Sequence, residues 1–339
     1  MRRRGVTVLL GAVITALLSI GVLAAPIPYV VLGPGPTVDT LGKEDGKEVI
    51  QISGTATSTS KGQLRLTTVG VQPDVKLLAA IAGWFNDEKA VVPRELIYPP
   101  DESEKQVEER NAQEFAASQT SAETAALVEL GYPVQVAVKN VVAGGPSEGV
   151  LRAGDVITKV DGEAITTAPR LTELIQAKPA GTVFNVEFTR DGKATSAKLT
   201  TRAQEGQPPR IGIEIEQKQP HPFELKIDLD EIGGPSAGLM FALGIIDKLD
   251  TDDDLTGGHI IAGTGTIDDE GRVGPIGGIA QKLVGAKNAG ATVFLTPADN
   301  CAEAKSNAQS GLPLAKVSTL DDALAALKAV RDGAQPSLC

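Results

Sequence analysis

The sequence predicts an α+β protein of two modest domains with one apolar helix ahead of them, and three observations carry that prediction. The chain has 339 residues, 42% of them hydrophobic, which is enough for two cores. Short alternating stretches at residues 49–71 and 134–202 read as strands, and runs of helix formers interrupt and follow them. Ahead of both, residues 6–25 carry no charge.

At about 1.5 Å per residue that first run reaches roughly 30 Å as a helix, the thickness of a bilayer's hydrocarbon core. Arg2, Arg3 and Arg4 precede it, and Asp39, Lys43 and Glu44 are the first charges beyond it. The expected topology is a single-pass anchor, with residues 1–5 cytoplasmic and the body outside. The alternative is a cleaved signal peptide, for which Leu23-Ala24-Ala25-Pro26 is a poor site and the run is longer than the usual stretch of roughly 7–15 residues. Residues 28–42 form a Pro/Gly-rich exit, residues 49–71 read as a hairpin across a polar loop, and residues 76–85 as a helix. A long helix is expected to end at Gly131, with a break near Ser118 to Thr120 and its charges on a solvated face. The expected divisions are residues 46–95 as the first part of one domain, 100–131 as a helical connector, 132–204 as a strand-rich second domain, 207–330 as the rest of the first, and 331–339 as a tail.

A net charge of −11 opposes nucleic-acid binding, because phosphate contacts need clustered Lys and Arg and none follows Arg4. Cys301 and Cys339 lack metal-ligand spacing, so no metal is expected. In an extracytoplasmic body their simplest use is a disulfide; the alternative is two unpaired thiols. No G-x-x-x-x-G-K-[ST] occurs, since Gly42-Lys43, Gly46-Lys47 and Gly192-Lys193 run on to Glu44, Glu48 and Ala194. Neither a nucleotide nor another cofactor is expected.

Ser236 stands between Gly233-Gly234-Pro235 and an apolar helix, where an ordinary cap would account for it. A nucleophile there would need glycines that admit a substrate backbone, helix-start N–H groups for an oxyanion, and a base. His221 lies between two prolines and His259 opens an apolar strand, so neither has an evident route to Ser236. Lys282 is the other candidate. It falls in the first turn of a helix expected over residues 279–289, beside Gly278, Ile279, Gly285 and Ala286, where the macrodipole opposes a cation; Lys287, near the far end, is favoured as one. Lowering a lysine from about 10.4 to about 7 takes roughly 4–5 kcal/mol, which burial can supply.

Two stretches carry resemblances. "GPSEGVLRAGDVITKVDGEAI", residues 145–165, resembles the core of a PDZ domain of the bacterial protease type. That implies peptides bound by strand addition, with Gly131, Tyr132, Pro133 and Val134 at the carboxylate end. "GGPSAG", residues 233–238, and "GTGTIDDEGRVGPIGGIAQKLVGAKNAGA", residues 263–291, are similar to the proteolytic domain of Lon-type serine peptidases. The similarity runs over residues 231–330, and residues 62–71 resemble an early strand of the same fold. It implies Ser236 as nucleophile in a turn shaped by Gly234 and Pro235, Lys282 as general base and Thr264 as its support. Together the two resemble membrane-anchored bacterial PDZ-Lon proteins, in which a PDZ domain interrupts the peptidase domain. The expectation is an ATP-independent serine endopeptidase at the bacterial cell membrane, its body extracytoplasmic, acting on peptides or unfolded segments with the PDZ domain assisting; a homo-oligomer is compatible with it. The alternative is a non-enzymatic PDZ adaptor or assembly protein. One departure is Gly233, where ATP-dependent members carry an acid.

Overall fold

Helix α1 (Arg2–Ala24) leads the chain in the computed structural model, which describes residues 2–204, 206–229 and 233–339, without the side chains of residues 2–5, 20, 22 and 24. Among the described residues no helix is long and apolar enough to cross a membrane, which leaves the expected transmembrane helix without support. Glu231 and Ile232, which open the Lon-like stretch, lie outside the described residues. The chain then turns through Pro26 into β1 (Tyr29–Asp39), followed by β2 (Ile50–Ser53), β3 (Gln63–Gln72), α2 (Leu77–Trp84), β4 (Ala90–Pro93) and α3 (Glu104–Glu129). Helix α3 starts on a reciprocal cap: Gln106 N–H donates to Ser103 Oγ while Ser103 N–H donates to Gln106 Oε1. No break occurs near Ser118 to Thr120. Thr120 Oγ1 donates back to Ala116 O and Ser118 Oγ donates to Pro235 O, so both hydroxyls are satisfied with the helix intact.

Two compact units divide the chain, one of Met1–Ala126 with Phe223–Cys339 and the other of Leu127–Pro222. In the second unit, β5 (Gln135–Val141), β6 (Val156–Val160), α4 (Ala168–Gln176), β7 (Val183–Arg190), β8 (Lys193–Thr200) and β9 (Ile213–Lys218) follow in order. Its strands form an antiparallel sheet in the order β8-β7-β6-β5-β9. Phe184, Phe188, Val136 and Val138 fill its core with Leu171 and Ile175 from α4. Thr167 caps α4 and Pro169 stands in its first turn, where a missing N–H is harmless.

The first unit resumes with β10 (Glu224–Ile227), α5 (Gly238–Leu249), β11 (Ile260–Gly263), α6 (Ile279–Asn288), β12 (Val293–Pro297), α7 (Cys301–Ser306), β13 (Leu314–Val317) and α8 (Leu320–Arg331). Its sheet runs β13-β12-β11-β3-β1-β4. The first four strands are parallel and β1 is antiparallel to both β3 and β4. Parallel neighbours need crossovers, and α6 supplies the one between β11 and β12. Helix α5 is apolar on nearly every side and is accordingly buried against the sheet. The expected hairpin over residues 49–71 does not form. Strand β2 pairs with β10, whereas β3 lies between β1 and β11. The linking loop is too long to dictate a hairpin, and Ser58 and Ser60 tie it instead to the Asp247 carbonyl and carboxylate.

Cys301, at the start of α7, is bonded to Cys339, with their Cα atoms 5.2 Å apart. The bridge spans 38 residues, for which loop-closure entropy predicts roughly 3–4 kcal/mol. Cys301→Ser is expected to lower the unfolding free energy by about that much in urea titrations. Equal midpoints with and without reductant would show that the bridge contributes nothing.

Candidate active site

The Ser236 turn is held from three sides before any chemistry is considered. Gly234 has φ +86, a left-handed conformation that favours glycine, and its N–H donates to Asn111 O of α3 at 3.0 Å. Ser118 Oγ donates to Pro235 O at 2.9 Å, and Gly265 N–H and Thr264 Oγ1 donate to Ser236 O at 2.9 and 3.0 Å. Because a trans peptide points its C=O and N–H opposite ways, fixing the Pro235 carbonyl also fixes where the Ser236 N–H points. A Cβ on Gly233 would lie 3.0 Å from Asn111 Cβ, so a side chain there requires Asn111 to shift by a few tenths of an ångström.

Helix α6 brings Lys282 to this turn. Its Nζ lies 2.7 Å from Ser236 Oγ and 2.9 Å from Thr264 Oγ1. The residue is 2% exposed, and burial pushes its ammonium down to about 7. Thr264 gives its own proton to Ser236 O, so it accepts from Lys282 and fixes one amine N–H. A neutral amine then has its lone pair free for the Ser236 hydroxyl, and the bond between them reverses direction.

A cleft of about 530 Å³ opens over the pair. Thr68 and Val69 of β3 line it together with Ile97, and Val107, Arg110 and Asn111 of α3 face it. The charges of α3 lie mostly on a solvated face, as expected, with Glu104, Lys105, Glu108, Glu109 and Glu114 exposed; sequence reasoning missed the residues on its other side. A usable signal was present: Val107, Phe115, Ser118 and Ala122 are small or apolar at helical spacing, and all four are buried.

The structure does not bring the histidines to Ser236. His221 Nδ1 lies 2.8 Å from Gln219 O, and its ring meets Tyr132 edge-on within the second unit. The His259 carbonyl accepts from Gln63 N–H where β3 begins. Gly131 to Val134 are also displaced from their expected role. They lead into β5, whose two edges are occupied by β6 and β9, and Tyr132 O accepts from Gln219 Nε2. The groove of this unit, about 460 Å³, lies instead between α4 and β9, lined by Leu171, Ile175 and residues 209–215. No free sheet edge remains at Gly131 to Val134, whereas β9 is the last strand of its sheet.

Residues 231–329 match the family described as the Lon protease (S16) C-terminal proteolytic domain, and residues 106–201 match the PDZ domain family. Lon protease 1 of Sorangium cellulosum is 41% identical over 98 residues, which are 27% of this chain and 11% of that protein. The Lon protease of Azospirillum brasilense is 40% identical over 97 residues, again 27% of this chain and 11% of the relative. The chain thus spans about a tenth of the length of these curated relatives. The crystal structure of the PDZ domain of an SdrC-like protein from Listeria monocytogenes is 30% identical, covering 24% of this chain and 85% of that one, with a TM-score of 0.23. The chain therefore carries the proteolytic domain of a serine-type peptidase. With a PDZ domain in the same chain, it has the make-up of a PDZ-Lon serine peptidase.

Proposed function

We propose that this chain is an ATP-independent serine endopeptidase working through a Ser236–Lys282 dyad. The observation that carries the reading is the 2.7 Å approach of Lys282 Nζ to Ser236 Oγ by an amine that burial holds near neutrality. Lys282 takes the hydroxyl proton as Oγ attacks a peptide carbonyl, then returns it to the leaving amine; water deacylates the ester by the same route. The N–H groups of Ser236 and Ala237, in the turn just ahead of α5, meet the oxyanion. The substrates are peptides or segments already unfolded. The α4–β9 groove of the inserted PDZ module holds an extended peptide against the edge of β9. The uncharged residues 6–25 anchor the body on the outer face of a membrane.

A serine-directed acylating probe should label the full chain in detergent, and Ser236→Ala should abolish the labelling. An adaptor would show no Ser236-dependent labelling and no peptide cleavage. Thr264 is a positioning residue in this scheme. Thr264→Val is expected to lower kcat/KM roughly 10-fold, about 1.4 kcal/mol, with Thr264→Ser near normal. Equal activity in the valine and serine variants would remove Thr264 from the mechanism.

A further inference from the structure

Helix α2 turns an apolar face outward. Its eight residues, Leu77–Trp84, carry no charge, and Leu78, Ile81, Ala82 and Phe85 recur at i, i+3, i+4 and i+7 along one side. The inward side is made of small residues: Ala80 and Gly83 are buried, and a Cβ on Gly83 would come within 2.9 Å of Val91. The large side chains are the exposed ones, with Leu78 at 58%, Trp84 at 57% and Phe85 at 87% exposure. A helix docked only for its own unit's stability would have the reverse arrangement.

The surroundings of α2 indicate what covers that face. Two residues beyond α1, Pro26 forms a bridge with Lys76, and Ile27 N–H donates to Val75 O at 3.0 Å. The start of α2 is thereby tied to the end of α1. The Tyr29 ring meets Trp84 edge-on, centroids 6.2 Å apart, which adds a second aromatic at the same level. Tyrosine and tryptophan concentrate where hydrocarbon meets water, and helices lie there with an apolar face roughly 5–10 Å deep; the other side of α2 is covered by its own unit, not by charged residues of the helix. Lys76 before the helix and Asp87, Glu88 and Lys89 after it are exposed and are placed to stay in the aqueous layer. A second copy of the chain fits the patch less well. A stable protein interface takes roughly 800 Å² from each partner, and eight helical residues reach only about 12 Å.

We propose that α2 is an interfacial helix, lying in the headgroup region of the bilayer with Leu78, Ile81 and Phe85 inserted and the proteolytic unit held flat against the membrane. This rests on the reading of residues 6–25 as an anchor, and the test separates the two. Trp84 is the only tryptophan in the chain, so its fluorescence reports on α2 alone. The full chain is reconstituted into phosphatidylcholine–phosphatidylglycerol vesicles, floated on a density gradient, and the measurement repeated with lipids brominated high or low on the acyl chain.

The expected result is flotation, blue-shifted Trp84 emission, and stronger quenching by bromines near the glycerol than by bromines near the chain end. Leu78→Ser combined with Phe85→Ser should leave flotation unchanged and remove most of the quenching. A floated chain whose Trp84 emits as in water overturns the inference and leaves the anchor standing. Blue-shifted emission without bromolipid quenching assigns the face to a protein partner and also overturns it. Failure to float overturns the anchor and the inference together.

Discussion

Lys282→Arg and Lys282→Gln are each expected to lose about 10²–10⁴-fold in kcat/KM on a peptide substrate while remaining folded. Arginine keeps the positive charge but stays protonated at any accessible pH, so it cannot accept the Ser236 proton. Lys287→Gln is expected to be near normal, because Lys287 is exposed on the last turn of α6. In the wild type, burial pushes Lys282 down to about 7, and only the neutral amine can act as base. The rate should therefore climb as pH rises toward about 7 and level off above it. The decisive control is His259→Gln: activity lost there but retained in Lys282→Gln would move the base to the histidine.

Lys282→Met is expected to make the protein more stable, by about 3–4 kcal/mol below pH 7. An unfolded lysine titrates near 10.5, whereas the folded one is pushed down to about 7 by burial. Between those values the unfolded chain binds more protons, so wild-type stability falls as pH drops from 10.5 to 7 and is lowest below 7. The depression is equivalent to roughly 4–5 kcal/mol, less about 1 kcal/mol for the hydrogen bonds that methionine cannot make. The variant's advantage should shrink as pH rises, vanish just below about pH 10, and give way to a small deficit above it. Urea unfolding at pH 6 and pH 10 measures it, and an advantage of the same size at both values would show that the amine's burial is not its source.

That Lys282 comes to Ser236 was legible because the evidence for it is local. A lysine in the first turn of a helix, among glycine, isoleucine and alanine, announces a buried amine, and a serine after Gly-Gly-Pro announces a helix start open to a ligand. Thr264 came only with the family resemblance, since a threonine between two glycines has no periodicity to mark it. What sequence reasoning lost was long-range pairing. Strand β2 alternates like half of a hairpin, yet its partner is β10, and only the three-dimensional packing joins residues so far apart. The charges of α3 do lie on a solvated face, and what went unread is its other side. The residues there that hold the Ser236 turn, Asn111 through its carbonyl and Ser118 through its hydroxyl, contact a segment more than a hundred positions away. The groove of the PDZ unit was displaced because the strand left at the sheet edge, β9, is contributed by the end of that segment rather than its beginning.

The split of the proteolytic unit also imposes an order on its birth. Leu127–Pro222 is continuous, so all its strands are available once that stretch has been synthesised. The other unit has to wait. Strand β3 has β1 on one side from the outset, but its opposite edge is filled only when β11 emerges nearly two hundred residues later. Such distant pairing is slow to close and leaves an unfilled strand edge in the meantime. The Ser236–Lys282 pair shares that delay, because both residues belong to the last part of the chain. A nascent molecule thus completes its PDZ unit before it contains both Ser236 and Lys282, and released chains truncated between residues 222 and 282 should hold a folded PDZ unit with no peptidase activity.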